Sequence, residues 1–263
     1  RYPWGGLYGG QIVAQALRAA ASSVESDFVA HSMRAYFIRR GDHNEPVRYE
    51  VDRIRNGRTF VTRRVVARQA TGAILNCEAS FQIPEMTRNL QTVFMPEGLP
   101  APDDLPDSTW SPAFDRRSIP QSALSETGHL GAGRSAAWMR LSAALGNDGV
   151  LHRCWLAYMS DDVPIDSMRE GHPVFSQPDG HKLAMSASLD HTIWFHRPVR
   201  ADQWHVGVQF QLARTASERH GVIQPLHMQA DHVDGLANGW IDFAAVSYTH
   251  LTLPTLYSVY ISV

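Results

Sequence analysis

The stretch SASLDHTIWFHRP, residues 186–198, brings two serines, an aspartate and two histidines into thirteen positions. Those residue types in one run suit nucleophilic catalysis, a metal site or the polar face of a strand. Read as a strand, the run divides by parity. Ala187, Leu189, His191, Ile193 and Phe195 share one face; Ser188, Asp190, Thr192, Trp194 and His196 share the other. That alternation sets Ser188 and His191 on opposite sides, poorly placed for a serine–histidine dyad, and separates His191 from His196 as joint metal ligands. The chain has no G-x-S-x-G elbow and no H-E-x-x-H or paired-cysteine spacing. Ser188 and Asp190 do share a face, where the plainest reading is a hydroxyl and a carboxylate in water.

A second acidic feature is the pair Asp161-Asp162, placed where an apolar helix ends before Val163-Pro164. Carboxylates are disfavoured at a helix C-terminus, where the dipole end is negative. Adjacent acids also repel. If Asp161 is partly buried, its pKa rises and it can serve as a general base. The alternative is a polar loop start with both acids solvated, which the residue pattern alone favours.

The elements that must position these groups come in two similar series. YGGQIVAQALRAAASS (8–23) reads as a helix apolar on nearly every side, and such a helix needs to be enclosed. Four strand-like runs follow: His31–Arg39, Val47–Arg55, Arg58–Arg68 and Ala73–Gln82. Asn56-Gly57 is expected to form a tight positive-φ hairpin turn, and Thr71-Gly72 the next reversal. Residues 84–133 hold seven of the fifteen prolines and read as a linker or surface excursion without core elements. The first rhythm then returns: a strand at 136–144, a second apolar helix at 149–161, and the strand at 186–198. Its IWFHRP echoes AYFIRRG (35–41), with Phe195 answering Phe37 and Arg197 answering Arg39. The order and the echo together indicate an internal duplication of a helix-plus-sheet unit.

Composition bounds the rest. The chain has 263 residues, 44% hydrophobic and 19% charged, with a formal net charge of -2. That suits a globular protein and gives no basis for a nucleic-acid surface. No apolar run approaches the roughly 18 residues of a membrane span. Cys77 and Cys154 lie far apart in apolar surroundings and read as buried thiols.

YGGQIVAQAL, HSMRAYFIRRGD, RIRNGRTFVTRRVVARQ, ASFQIPE, LAYMSD and SASLDHTIWFHRP, in that order, resemble the type II acyl-CoA thioesterases over about residues 4–204. The resemblance implies an α+β double hotdog, two helices each wrapped by an antiparallel sheet. Its units would be an N-terminal repeat at 1–83, a linker at 84–133 and a C-terminal repeat at 134–205. It also implies hydrolysis of fatty acyl-CoA to fatty acid and CoA by directly attacking water. Matched to the motifs, the catalytic residues would be Asp161 of YMSD and Ser188 of SASLDH, with Asp190 and His191 structural. A backbone oxyanion site at Gly9-Gly10 is a further expectation. No cofactor or metal is expected. Acyl-CoA is the implied partner, with a homo-oligomer and a cytoplasmic location, or a peroxisomal one in a eukaryote. The arginines Arg53, Arg55, Arg58, Arg63 and Arg64 could meet CoA phosphates or form a solvated face. Two other readings stay open: an acyl-CoA-binding protein without turnover, and a hotdog hydratase using His152 or His191.

The sequence departs from the family in one place. A catalytic glutamine would fall between 230 and 240, where DHVDGLANGW has none, and neither Gln224 nor Gln229 stands in its context. Agreement fades after Trp204-His205, and the tail 206–263 reads as frame-shifted and adapter-like. The start at Arg1 suggests a lost first strand. The chain as written is then expected to be poorly stable and inactive, although its parent gene encodes a thioesterase.

Overall fold

In the computed structural model, residues 5–85, 98–126, 134–162, 166, 188–212, 224–232 and 241–243 are described. The first apolar run forms helix α1 (Gly9–Ala21). Four antiparallel strands follow: β1 (Val29–Phe37), β2 (Arg48–Asn56), β3 (Phe60–Gln69) and β4 (Gly72–Gln82). Then come β5 (Phe114–Ile119), the short helix α2 (Gln121–Glu126), β6 (Arg134–Leu141) and helix α3 (Gly149–Met159). The chain continues with β7 (Asp190–Trp194), β8 (His205–Leu212), β9 (Gln224–His232) and β10 (Ile241–Phe243).

The strands make two five-stranded sheets, ordered β2-β3-β4-β1-β7 and β10-β9-β8-β6-β5. α1 packs against the first sheet and against α3. Ile12, Val13, Ala16, Leu17 and Ala20 are buried there beside Met33, Val65, Ile74 and Leu75. Fully burying a side chain such as Leu17 contributes roughly 1.5–3 kcal/mol. The expectation that α1 is enclosed is met on its α3 and sheet faces.

The echoed segments prove to be neighbours. β1 and β7 pair antiparallel, with Arg34 opposite Thr192, Ser32 opposite Trp194 and Tyr36 opposite Asp190. At the spacing that relates Phe37 to Phe195, Arg34 corresponds to Thr192, its own partner, and Tyr36 to Trp194. A local two-fold therefore passes through the Arg34–Thr192 pair, and β1–β7 is the seam between the two halves.

Three details differ from expectation. Residues 84–133 do hold core elements: β5 forms the edge of the second sheet, with Phe114 and Ile119 buried, and Leu124 of α2 is buried in one cluster with Ile119. Proline density hid β5 because Pro112 and Pro120 flank it rather than interrupt it. The β2–β3 hairpin turns over Arg58-Thr59, closed by the Gly57 N–H bonded to the Phe60 carbonyl at 2.9 Å, so Asn56-Gly57 is not its central pair and Gly57 takes no positive φ. Gly72, by contrast, takes a φ of 108° at the next reversal. Of the tail, β8 begins at His205 and pairs with β6, and β9 and β10 extend that sheet. Residues 213–223, 233–240 and 244–263 lie outside the described residues.

Candidate active site

The site grows from the contact between the two helices. Asp161 follows Ser160, the C-cap residue of α3, yet its carboxylate does not lie over the negative end of its own helix alone. It reaches the start of α1 and accepts a hydrogen bond from the Gly10 N–H. The reason is visible at the head of α1. Its N-cap is Tyr8, with no side-chain cap, and its first two residues are Gly9 and Gly10. First-turn amides need an acceptor, and the positive end of the dipole favours a carboxylate. A tyrosine N-cap supplies none, so Asp161, some 150 residues away, takes the place.

The fit is close. A Cβ on Gly9 would lie 2.5 Å from Asp161 Oδ2 and 3.0 Å from the Phe37 ring. A Cβ on Gly10 would strike the Tyr158 carbonyl and the Tyr8 ring. Tyr8 Oη donates to that same carbonyl at 2.9 Å, and its ring stands edge-on to Trp110 and Tyr158. Glycine is required at both positions by close approach, and neither takes a positive φ.

Ser188 Oγ donates to Asp161 Oδ1 at 3.1 Å. The two residues marked by the family motifs are thus brought together, 27 positions apart in sequence. Burial of the Asp161 carboxyl pushes its pKa up to about 7. The hydrogen bonds from Ser188 and Gly10 oppose that rise, and the charge of Asp162 adds to it. Asp161 thereby titrates near neutrality, while its residue as a whole keeps partial contact with solvent.

Asp162 has a different fate. It accepts from Arg116 Nε at 2.6 Å and from Trp110 Nε1, and Arg116 also reaches Asp166 at 2.5 Å. Both carboxylates are held by protein donors rather than by water alone, which overturns the polar-loop alternative. An arginine from β5 pairs with Asp162, whereas no cation among the described residues is paired with Asp161.

Strand parity misplaces the neighbours of Ser188. Alternation puts Ser188 and His191 on opposite faces, but both meet the last turn of α3. Ser188 bonds Asp161, and His191 Nε2 lies 3.0 Å from Ser160 Oγ. The cause is local. Regular pairing of β7 begins only at Asp190, and a bend at Leu189 breaks the period of two. Asp190 is buried within 3.7 Å of Arg34, so it is not on a solvated face either.

Other expectations sort themselves by contact. Of the two amides expected for an oxyanion, that of Gly10 is engaged by Asp161. Arg63 is buried and donates to Ser23 Oγ and the Ser23 carbonyl just beyond α1, so it is a structural clamp rather than a phosphate ligand. His152 accepts from the Ala201 N–H at 3.1 Å and contacts the Gly146 carbonyl at 2.9 Å, leaving no ring nitrogen for catalysis. Gln224 and Gln229 both lie on β9, where Gln229 is opposite Val208 and Asp242 in the backbone register. Cys77 and Cys154 are free and buried, and burial raises each thiol to about 12.

Sequence reasoning missed the Asp161–Gly10 contact, the Arg116 network and the Ser160–His191 bond. Only the first had a signal: a helix opening on Tyr-Gly-Gly, with no Ser, Thr, Asp or Asn to cap it, needs its acceptor from elsewhere.

Comparison with known proteins agrees with this fold. Residues 1–82 match the family model of the acyl-CoA thioesterase N-terminal domain, and residues 113–224 match that of acyl-CoA thioesterase. Acyl-coenzyme A thioesterase 8 of Mus musculus is 35% identical over 226 residues, 75% of this chain and 68% of the mouse protein. Acyl-CoA thioesterase 2 of Haemophilus influenzae is 32% identical over 219 residues, 76% of this chain and 74% of that protein. The crystal structure of the acyl-CoA thioesterase II TesB2 from Mycobacterium marinum superposes with a TM-score of 0.77 at 31% identity, covering 95% of this chain and 91% of the other. A hot dog fold protein from Alicyclobacillus acidocaldarius, 18% identical with a TM-score of 0.72, shares the fold.

Proposed function

Because this chain belongs to the type II acyl-CoA thioesterases, a double-hotdog family of hydrolases, we propose that Asp161 and Ser188 cleave an acyl-CoA thioester by activating water directly. The carrying observation is the pairing of a desolvated carboxylate, titrating near 7, with a hydroxyl at 3.1 Å. With its proton directed at Asp161, the Ser188 oxygen keeps lone pairs that can accept a proton of the attacking water. Asp161 removes the water's other proton as the oxygen adds to the thioester carbonyl carbon. Collapse of the tetrahedral intermediate breaks the C–S bond. The thiolate of CoA then takes the proton back from Asp161, giving free CoA and a fatty acid. General-base assistance of this kind contributes typically 10²–10⁴-fold.

Two arrangements support water over serine as the nucleophile. The Ser188 hydroxyl donates to a carboxylate, not to a histidine base. His191, which meets the α3 turn, is bonded to Ser160 and held neutral, its pKa pushed down by burial to about 4. The same contacts weigh against a hydratase with a catalytic histidine.

Thiol release from fatty acyl-CoA, measured on this chain and on Asp161→Asn and Ser188→Ala, tests the reading. Turnover lost in Asp161→Asn, with no acyl group on Ser188 after rapid quench and mass spectrometry, is the expected result. A trapped acyl-Ser188 adduct, or acyl-CoA binding without release, would refute it.

A further inference from the structure

We propose that His191 is a positioning residue: its hydrogen bond to Ser160 fixes the separation of Asp161 and Ser188. The proposal rests on the function read above and concerns how that site is held.

The two reacting side chains come from different elements. Asp161 hangs from the end of α3, and Ser188 from the bend that leads into β7. Their mutual contact is a single 3.1 Å bond. The bond stays in place while water docks on the Ser188 oxygen, but one contact between two rotatable side chains does not by itself fix the gap between their carriers. Another tie is needed, close to both residues and outside the reaction. Ser160 is next to Asp161 in sequence, and His191 lies three residues beyond Ser188. Their side chains meet at 3.0 Å, with both residues buried at 2% exposure.

The direction of the bond follows from what each group already does. Ser160 Oγ donates to the Ala157 carbonyl at 3.1 Å in the last turn of α3. Its single proton is therefore committed, and Oγ faces His191 as an acceptor. His191 must carry its proton on Nε2. The relay runs His191 Nε2–H to Ser160 Oγ–H to the Ala157 carbonyl, and it staples β7 to the helix end. His191 is anchored on its own side by the ladder to Ala35 of β1, within the buried seam of the two halves. The titratable groups beside this pair along the chain are Asp161 and Asp162, just past α3, and Asp190, the neighbour of His191 in β7, which lies 3.7 Å from Arg34. The neutral imidazole needs none of them as a counterion.

The test uses side chains that keep or lose the Nε2 donor. Glutamine places an amide nitrogen near the Nε2 position; asparagine reaches only the Nδ1 position. His191→Asn and Ser160→Ala are expected to lower kcat toward the about 10²-fold that a displacement near 1 Å can cost, with KM changed little. Both should raise the pH midpoint of kcat/KM, because a displaced Ser188 no longer lowers the Asp161 pKa. His191→Gln should recover much of the loss and return the midpoint. A purely structural role would change the urea midpoint without moving the pH profile. Ser160→Ala removes one hydroxyl only, and it decides the matter if His191→Asn does not fold. Wild-type kcat and midpoint in Ser160→Ala, or equal impairment of His191→Gln and His191→Asn, would overturn the proposal. Asp161→Asn, assayed in parallel, separates the two readings: normal turnover there defeats the mechanism itself, whereas a dead Asp161→Asn beside an unaffected Ser160→Ala defeats only the positioning role.

Discussion

α1 and α3 both begin on a glycine, Gly9 and Gly149, and both need an acceptor for their first-turn amides. α3 meets that need locally. Asp148, its N-cap, accepts from Val150 and Leu151 at 2.9 and 3.0 Å and remains exposed. α1 has a tyrosine there and borrows the carboxylate of Asp161 across the helix–helix contact. The same capping chemistry gives a solvent-exposed acid at one helix and an acid pushed up to about 7 at the other. What separates them is burial, and burial follows from the acceptor arriving from a distant part of the chain. A duplicated fold thus offers two helix starts, of which one became reactive.

Exchanging the acids is expected to separate the two starts most widely. Asp161→Asn should lower kcat by about 10³-fold, within the usual range for a lost general base, as read by thiol release. Asp148→Asn should leave kcat unchanged, since asparagine caps as well as aspartate.

The glycines come next. Gly9→Ala puts a methyl against Asp161 Oδ2 and the Phe37 ring and should cost activity on the order of 10²-fold by displacing the base. At Gly149 the nearest atom to an added Cβ is the mobile end of Arg153 at 3.4 Å, so Gly149→Ala should keep full activity. Equal effects of the two substitutions on kcat would remove the distinction between the helices.

Stability should run opposite to activity. Asp161 has its pKa raised in the folded state, from the usual carboxylate value of 3.8 to about 7. The folded state therefore binds its proton more tightly than the unfolded chain. That contribution is complete below about pH 4 and is lost as pH rises through 7. Asp161→Asn should be more resistant to urea than the parent at pH 8 and show little gain at pH 4. Asp148→Ala should cost about 1 kcal/mol at any neutral pH without altering kcat, the ordinary effect of losing a cap. A neutral or destabilising Asp161→Asn at pH 8 would mean that its carboxylate is not strained by burial.

Much of this arrangement was legible in the residues, and the illegible parts have a common cause. Helix and strand runs followed from periodicity, and β1 to β4 lie within two residues of the expected runs at every end. Asp161 and Ser188 were marked by motif resemblance, with Asp161 also conspicuous as an acid at a helix C-terminus. Parity failed at Ser188 because one bend, at Leu189, resets the alternation, and local pattern cannot foresee a bend set by tertiary contact. β5 was hidden by its flanking prolines. The cap from Asp161 to Gly10, the Arg116–Asp162 pair and the His191–Ser160 bond each join residues more than thirty positions apart. Nothing in the local sequence specifies those partners beyond the missing cap at Tyr8.

The pH dependence of kcat/KM for acyl-CoA hydrolysis, compared between the parent chain and Asp161→Asn, tests the central claim most directly. A buried Asp161 acting as base predicts a rate that rises with pH through a single ionisation near 7 in the parent, with the residual rate of Asp161→Asn showing no such step. A parent profile flat from pH 5 to 9, or the same step persisting in Asp161→Asn, would contradict it.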